Sequence, residues 1–352
     1  MTAASPAALT VRERLEAREQ RILAPAACRS AGQPRAVEEP ESGLRTRFQR
    51  DRDRVLHTKA FRRLMHKTQV FIAPAGDHYR TRLTHTLEVT QIARTVGRAL
   101  GLNEDLIEAI GLAHDLGHTP FGHAGERALA EVFPGFRHNE QSLRVVDALE
   151  RDGRGLNLTA PVRDGILTHS KSRSGMTRNA GGAPSTLEAE VLKLSDAVAY
   201  INHDLDDALR GGLIAAEDIP PQVVAVLGAT HARRIDTLVS DIVAHSDSES
   251  PPGDIAISPA IQAAADDLRD FLFERVYTPL NDEANTHRAQ HIVRELFAWF
   301  AADPSRIPDG YQAPAAGDDA PERRAADFVA SMTDRYAIEL FEHLFVPQHW
   351  SV

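Results

Sequence analysis

The chain has 352 residues, 42% of them hydrophobic and 26% charged, with a formal net charge of −10. That length allows a buried core in one large or two smaller domains, and the acidic balance excludes a general nucleic-acid binder. A single cysteine, Cys28, excludes an intramolecular disulfide and a cysteine-built zinc site, and with no signal-peptide pattern and no apolar run of membrane-span length a reduced cytoplasmic setting is expected.

Aromatic residues are scarce at 6%, while Ala, Leu and Arg are plentiful, which favours helix over strand. In chain order, an Arg/Glu-rich helix is predicted from Val11 to Leu23. A Pro/Ala/Gly/Glu segment then runs to Gly43, so residues 1–43 read as a frayed arm in which Cys28 is incidental. From Leu44 the patterning is helical almost to the end. Leu83, Leu87, Ile92, Val96 and Leu100 mark an apolar stripe closed by Gly101. Asn103 caps the next helix, with Leu102 and Ile107 as a hydrophobic staple, and that helix stops at Gly117. Residues 171–183 form a polar loop. Pro184-Ser185-Thr186-Leu187-Glu188 reads as a capping box opening a long helix to Leu209, ended by Gly211-Gly212. Further helices are predicted at 221–246, 259–277 and 284–301, then a loop at 302–321 and a last helix at 322–345. No internal repeat, sheet-forming alternation or heptad array is present. The expected fold is all-α, with an arm (1–43), a catalytic core (44–246) and a C-terminal helical extension packed on it (247–352). There is no Walker A motif and no G-x-G-x-x-G, so neither a P-loop nor a dinucleotide fold is supported.

The densest chemistry lies in His114-Asp115-Leu-Gly-His118-Thr-Pro-Phe-Gly-His123-Ala-Gly-Glu126. An adjacent His-Asp pair can place an imidazole nitrogen and a carboxylate oxygen on one metal ion. It can equally be a partly buried hydrogen-bonded pair, because neighbours on a helix diverge by about 100°. Two other residues favour the metal. His85 opens the preceding predicted helix, and Asp196 lies among Val191, Leu192, Leu194 and Val198, where an unpartnered carboxylate is costly.

The order His85, His114-Asp115, Asp196 resembles the H…HD…D pattern of the HD-domain metal-dependent phosphohydrolases. The wider set is similar to the bacterial deoxyguanosine triphosphate triphosphohydrolases and their close relatives. It comprises Arg45 to His57, Ala60-Phe-Arg-Arg-Leu-Met-His-Lys67-Thr-Gln69, Tyr79-Arg-Thr-Arg82-Leu-Thr-His85, the 114–126 run, His138-Asn-Glu-Gln141 and Tyr200-Ile-Asn-His-Asp204. The resemblance covers most of residues 44–246.

It implies an HD-type helical bundle with additional C-terminal helices. It also implies cleavage of deoxynucleoside triphosphates to a deoxynucleoside and inorganic triphosphate. His85, His114, Asp115 and Asp196 would hold one divalent ion, with Mn²⁺ or Mg²⁺ as activators. Mixed imidazole and carboxylate ligation also suits Fe²⁺, Ni²⁺ or Zn²⁺. Arg82 would neutralise phosphate oxygens, as its rigid fork of donors allows. The resemblance further gives His123 as proton donor to the leaving oxygen, Glu126 as its partner, His118 on the α-phosphate and His138 in the same pocket. Gln69 would read the sugar and base edge, Tyr200 would lie under the sugar, and Asp204 would approach its 3′ side. His57, His66, His78 and His169 read as structural or exposed.

The basic run from Arg45 to Lys67 can serve a triphosphate, a solvated helix face, an effector nucleotide or single-stranded DNA. It lacks interleaved aromatics, so DNA ranks last. One departure concerns Ala197, where the vertebrate deoxynucleotide triphosphohydrolase carries lysine; one phosphate-binding group must come from elsewhere. The 172–183 loop carries no base-reading pattern, so guanine preference is left open. Assembly as a homo-oligomer, a hexamer among the options, is expected. A deoxynucleoside monophosphate nucleotidase and a nucleotide-sensing or single-strand-binding regulator are the alternative functions.

Overall fold

The computed structural model describes residues 9–70, 80–170, 183–311 and 319–347. Among these the fold is all-α, with three isolated β-bridges and no strand. No helix of the described residues is long and apolar enough to cross a membrane. The predicted 171–183 loop and His78 fall almost wholly outside them.

The helices around the centre are α1 (Val11–Ile22), α2 (Arg47–Leu56), α3 (Lys59–Arg63), α4 (Arg82–Ala99), α5 (Glu104–Ala113), α6 (Gly122–Val132), α7 (His138–Arg144), α8 (Ala160–Thr168) and α9 (Leu187–Arg210). After them come α10 (Pro221–Leu227), α11 (His231–His245), α12 (Pro259–Leu272), α13 (Thr278–Asn281), α14 (Ala284–Ala302), α15 (Pro321–Ser331) and α16 (Asp334–Phe345). Helix α5 is the hub. It is buried on nearly every side, through Leu106, Ile107, Ala109, Ile110, Leu112 and Ala113, against α2, α4, α8 and α9. An all-round apolar helix of this kind must be enclosed. Its Asn103 cap forms as expected, with the side chain accepting from the Asp105 and Leu106 N–H groups.

Gly111 decides how close the neighbours come. A Cβ there would stand 2.4 Å from Thr90 Oγ1 on α4 and 3.1 Å from Leu192 Cδ1 on α9. The missing side chain lets α4, α5 and α9 approach, and those are the helices that carry His85, the His114-Asp115 corner and Asp196. A second apolar cluster joins Phe121, Ala128, Leu129 and Phe136, in and around α6, to Val293, Phe297, Phe300, Phe328 and Val329 of α14 and α15. The C-terminal helices thus form the far wall of the segment that follows the His-Asp pair.

Several boundaries differ from expectation. The stripe on α4 is buried through His85, Thr86, Val89, Ile92, Ala93 and Val96, whereas Leu87 is exposed. The predicted 221–246 helix breaks at Gly228, which has φ +107°, and Thr230 caps the second half. The predicted 322–345 helix breaks at Met332, and Thr333 caps α16. Two short 3₁₀ turns occupy 304–306 and 309–311 of the predicted loop. Helix α9 is capped by Thr186, while Ser185 bonds to Asp164. Glu188 is drawn inward instead, accepting the N–H groups of Cys28 at 2.9 Å and Asn103 at 3.0 Å. Its burial pushes the carboxyl up to about 7.

The described part of the N-terminal arm is packed, not frayed. Ala24, Ala27 and Ser30 are buried, and Ala24 N–H donates to Gly101 O at 2.9 Å. Cys28 is half-buried, and burial pushes its thiol up to about 12, so it is an inert structural residue. Arg35 reaches from the arm to the buried Asp51 carboxylate, which also accepts Thr159 N–H at 2.9 Å and its hydroxyl at 2.7 Å. Removing one partner of a buried pair leaves an uncompensated charge. Asp51→Ala is therefore expected to cost about 3–5 kcal/mol in urea unfolding. A loss below 1 kcal/mol would mean that the arm is not anchored there.

Candidate active site

The C-terminus of α5, the turn after it and the start of α6 bring the 114–126 residues together. His114 ends α5 in helical conformation. Its Nδ1 lies 2.7 Å from Gly111 O, which fixes the proton on Nδ1 and leaves Nε2 as an acceptor. That Nε2 is buried and makes no hydrogen bond. His85 Nε2 lies 3.1 Å from Asp196 Oδ1, and its Nδ1 lies 3.4 Å from His203 Nδ1. The ligand atoms of His85, His114 and Asp196 all lie within 4.8 Å of one another.

Asp115 stands beside this trio. One of its oxygens lies 3.5 Å from His114 Nε2 and 3.2 Å from His118 Nε2, and the other accepts from Arg82 at 2.8 Å. Burial would raise the Asp115 carboxyl, but His114, His118 and Arg82 outweigh it and hold it well below the usual carboxylate range. It is an anion at neutral pH. Two imidazoles, one of them with the orphaned His114 nitrogen, and two carboxylates fit a divalent ion. His85, His114, Asp115 and Asp196 are the residues that could hold it.

The turn from Gly117 to Gly122 is tightly constrained. A Cβ at Gly117 would meet Ser142 N at 2.1 Å and His138 O at 2.4 Å, so only glycine lets the turn lie against α7. Phe121 and Gly122 are both left-handed, with φ +62° and +56°. Helix α6 then presents His123 and Glu126. Glu126 bridges two histidines, with His123 Nδ1 at 3.0 Å and His138 Nδ1 at 2.7 Å. Burial would raise Glu126, but His138 and His123 hold it well below the usual range. Burial would lower His138, but Glu126 reverses this and raises it. His118 stacks on His138 with ring centroids 4.0 Å apart, and burial together with Arg82 keeps it neutral.

His169 belongs to the same array, contrary to the reading of it as a bystander. It ends α8, its Nδ1 lies 2.7 Å from Ile166 O, and its Nε2 lies 3.2 Å from His138 Nε2 and 4.0 Å from Asp115. Burial, with His114 and His138 nearby, pushes it down to about 3. A neutral His169 can accept a hydrogen bond from protonated His138, whose two N–H groups then face Glu126 and His169. His57 and His66 are exposed, as expected.

Gln69, His123, Glu126, His138 and Tyr200 line one cavity of about 850 Å³, together with Phe273 and Tyr277 from the C-terminal part. Arg82 is fully buried, and its Nε and one terminal nitrogen have no partner. Asp204 sits deeper than expected. It is fully buried and accepts the Tyr277 hydroxyl; burial, opposed by that bond, pushes it up to about 7. Tyr277, for which the sequence carried no signal, stands between Asp204 and the cavity, with its ring 5.6 Å from Tyr200. The Arg45–Arg54 part of the basic run lies elsewhere. Arg45 pairs with Asp53, Arg47 with Glu41, and Arg50 and Arg54 with Glu39, so this run ties the arm to α2.

Comparison with known proteins places the chain in a family. Residues 82–201 match the HD domain family, and residues 255–343 match the phosphohydrolase-associated domain family. The chain is 50% identical over 344 residues to a deoxyguanosinetriphosphate triphosphohydrolase-like protein of Caldanaerobacter subterraneus subsp. tengcongensis, covering 97% of this chain and 98% of that one. It is 46% identical over 351 residues to a protein of the same description from Desulfatibacillum aliphaticivorans, covering 96% and 99%. With its counterpart in Bordetella pertussis it shares 44% over 354 residues, covering 87% and 92%.

Proposed function

Since the chain belongs to the deoxyguanosinetriphosphate triphosphohydrolase-like family of metal-dependent HD phosphohydrolases, we propose that it hydrolyses deoxynucleoside triphosphates. The products are a deoxynucleoside and inorganic triphosphate. The observation that carries this reading is Arg82. It is a fully buried guanidinium with unpaired donors, bonded to Asp115 and beside Gly122, at the junction of the ligand cluster and the Gln69 segment. Buried donors without acceptors are costly, and a phosphate oxygen satisfies them.

In this reading a bound divalent ion, Mn²⁺ or Mg²⁺, supplies charge stabilisation on the attacked phosphate. His118 and Arg82 hold the α-phosphate. His123, steadied through Nδ1 by Glu126, delivers the proton to the departing 5′-oxygen. Gln69 and Tyr200 take the sugar side of the cavity, and Asp204 acts there through the Tyr277 hydroxyl. An effector nucleotide and a homo-oligomeric state belong to the same proposal.

The test is incubation of the purified protein with each deoxynucleoside triphosphate and Mn²⁺, with products resolved by ion chromatography. Deoxynucleoside and triphosphate should appear in equal amounts. Orthophosphate as the sole phosphorus product would favour a nucleotidase. Turnover only in mixed nucleotides would point to an effector site.

A further inference from the structure

The break between α15 and α16 places Asp334 at the first position of α16, where it meets two distant segments. One carboxylate oxygen accepts Phe121 N–H at 2.8 Å. The other accepts Thr68 N–H at 2.9 Å and the Thr68 hydroxyl. Thr68 precedes Gln69, and Phe121 lies two residues before His123. Next to Thr68, the buried Lys67 ammonium donates to His118 O and, at 2.8 Å, to Ala330 O at the end of α15. The Lys67 carbonyl accepts Arg82 N–H at 3.1 Å. The buried Lys67 and the half-buried Asp334 thus join the C-terminal helices to the segments that carry Gln69, Arg82, His118 and His123.

Phe121 shows why such a tie is needed. It is left-handed at φ +62°, a conformation that costs a side-chain-bearing residue of order 1 kcal/mol and persists only where surroundings impose it. Its ring is buried in the cluster formed with the C-terminal helices, and its N–H is held by Asp334. The left-handed pair Phe121-Gly122 turns the chain from His118 into α6, and so sets where His123 points.

We infer that Asp334 is a positioning residue: it clamps the Thr68-Gln69 segment and the Phe121-Gly122 turn into one frame, and so aims His123 and Gln69 at the same substrate. The inference rests on the proposed function for its catalytic consequence, but its structural part can be measured without substrate. Asp334→Asn keeps the shape and leaves an NH₂ where an acceptor is required, so one of the two segments loses its anchor.

Hydrogen–deuterium exchange of the full chain reads this directly. In Asp334→Asn, either the peptide covering 64–70 or the one covering 117–126 should exchange about tenfold faster, the effect of one lost hydrogen bond of ordinary net strength. Turnover should fall about 100-fold, as for a displacement of about 1 Å at the reacting groups. In a His123→Ala background the same substitution should cost less than in the wild type, because one of the two groups it aims is gone. Thr68→Val, which removes only the hydroxyl bond, should show the same pattern at smaller size and decides the matter if Asp334→Asn does not fold. Unchanged exchange at both segments, or equal losses with and without His123, would overturn the clamp. Wild-type protein that releases no triphosphate would overturn the functional reading instead, and the exchange result would still stand.

Discussion

His114→Ala is expected to lose both bound divalent metal and activity. The imidazole is oriented by Gly111 O and presents a buried nitrogen that makes no hydrogen bond, so alanine deletes a ligand. Removing even an outer partner of a metal ligand costs about 10–100-fold in affinity or activity, so deleting the ligand itself should cost at least about 100-fold in turnover. Metal per chain, measured by elemental mass spectrometry after gel filtration, should fall in parallel. The fold should survive, because the hub helix keeps its apolar contacts through Ile110, Leu112 and Ala113. A variant with unchanged metal content and unchanged rate would mean that the His85, His114 and Asp196 cluster has been misread.

Glu126→Gln is expected to have an effect of similar size by another route. The carboxylate holds His123 and His138 at once, and general acid–base groups contribute about 10²–10⁴-fold, so kcat should fall within that range. A titration should move as well. Glu126 raises His138, so without the charge His138 loses its proton at lower pH, as an NMR titration of its ring would read. The stability linkage follows the same signs. His138, raised in the fold, contributes stability that is fully present below its unfolded value of about 6.5 and is lost as pH rises through its folded value. Glu126, depressed in the fold, contributes above about 4.3, and that contribution is lost as pH falls through its folded value. Their joint contribution is therefore largest between about pH 4.3 and 6.5, and Glu126→Gln should flatten the pH dependence of unfolding there.

Much of this site was legible in the chain because its signals are local. Asn103 marks the start of α5 with a side-chain cap, and the residues from His114 to Glu126 sit on one helix end, one turn and one helix start. Asp196 stood out as a carboxylate among apolar neighbours, and His85 by its place at the start of a predicted helix. The missed residues carry no local mark. His169 is one histidine at a helix end, and the close approach of α8 to α7 brings it to His138. Tyr277 and Asp334 lie in the C-terminal part, and what they touch is remote in sequence: Asp204 for one, Thr68 and Phe121 for the other. Glu188 was misassigned because Thr186 and Ser185 are both competent caps, and the competing partners, Cys28 and Asn103, come from outside the helix. The break at Met332 had a signal in Thr333, a good N-cap, which the surrounding helical pattern concealed. The arm looked frayed because its Pro and Gly content describes local stiffness and says nothing of Arg35 meeting Asp51.

Hydrolysis in ¹⁸O-water tests the central claim most directly. Attack of water at the α-phosphorus puts one ¹⁸O into the released triphosphate and none into the 5′-hydroxyl of the deoxynucleoside, and that is the expected result. Label in orthophosphate would place the attack on the γ-phosphorus, and label in a deoxynucleoside monophosphate would mean that pyrophosphate, not the 5′-oxygen, leaves the α-phosphorus; either result would contradict the account.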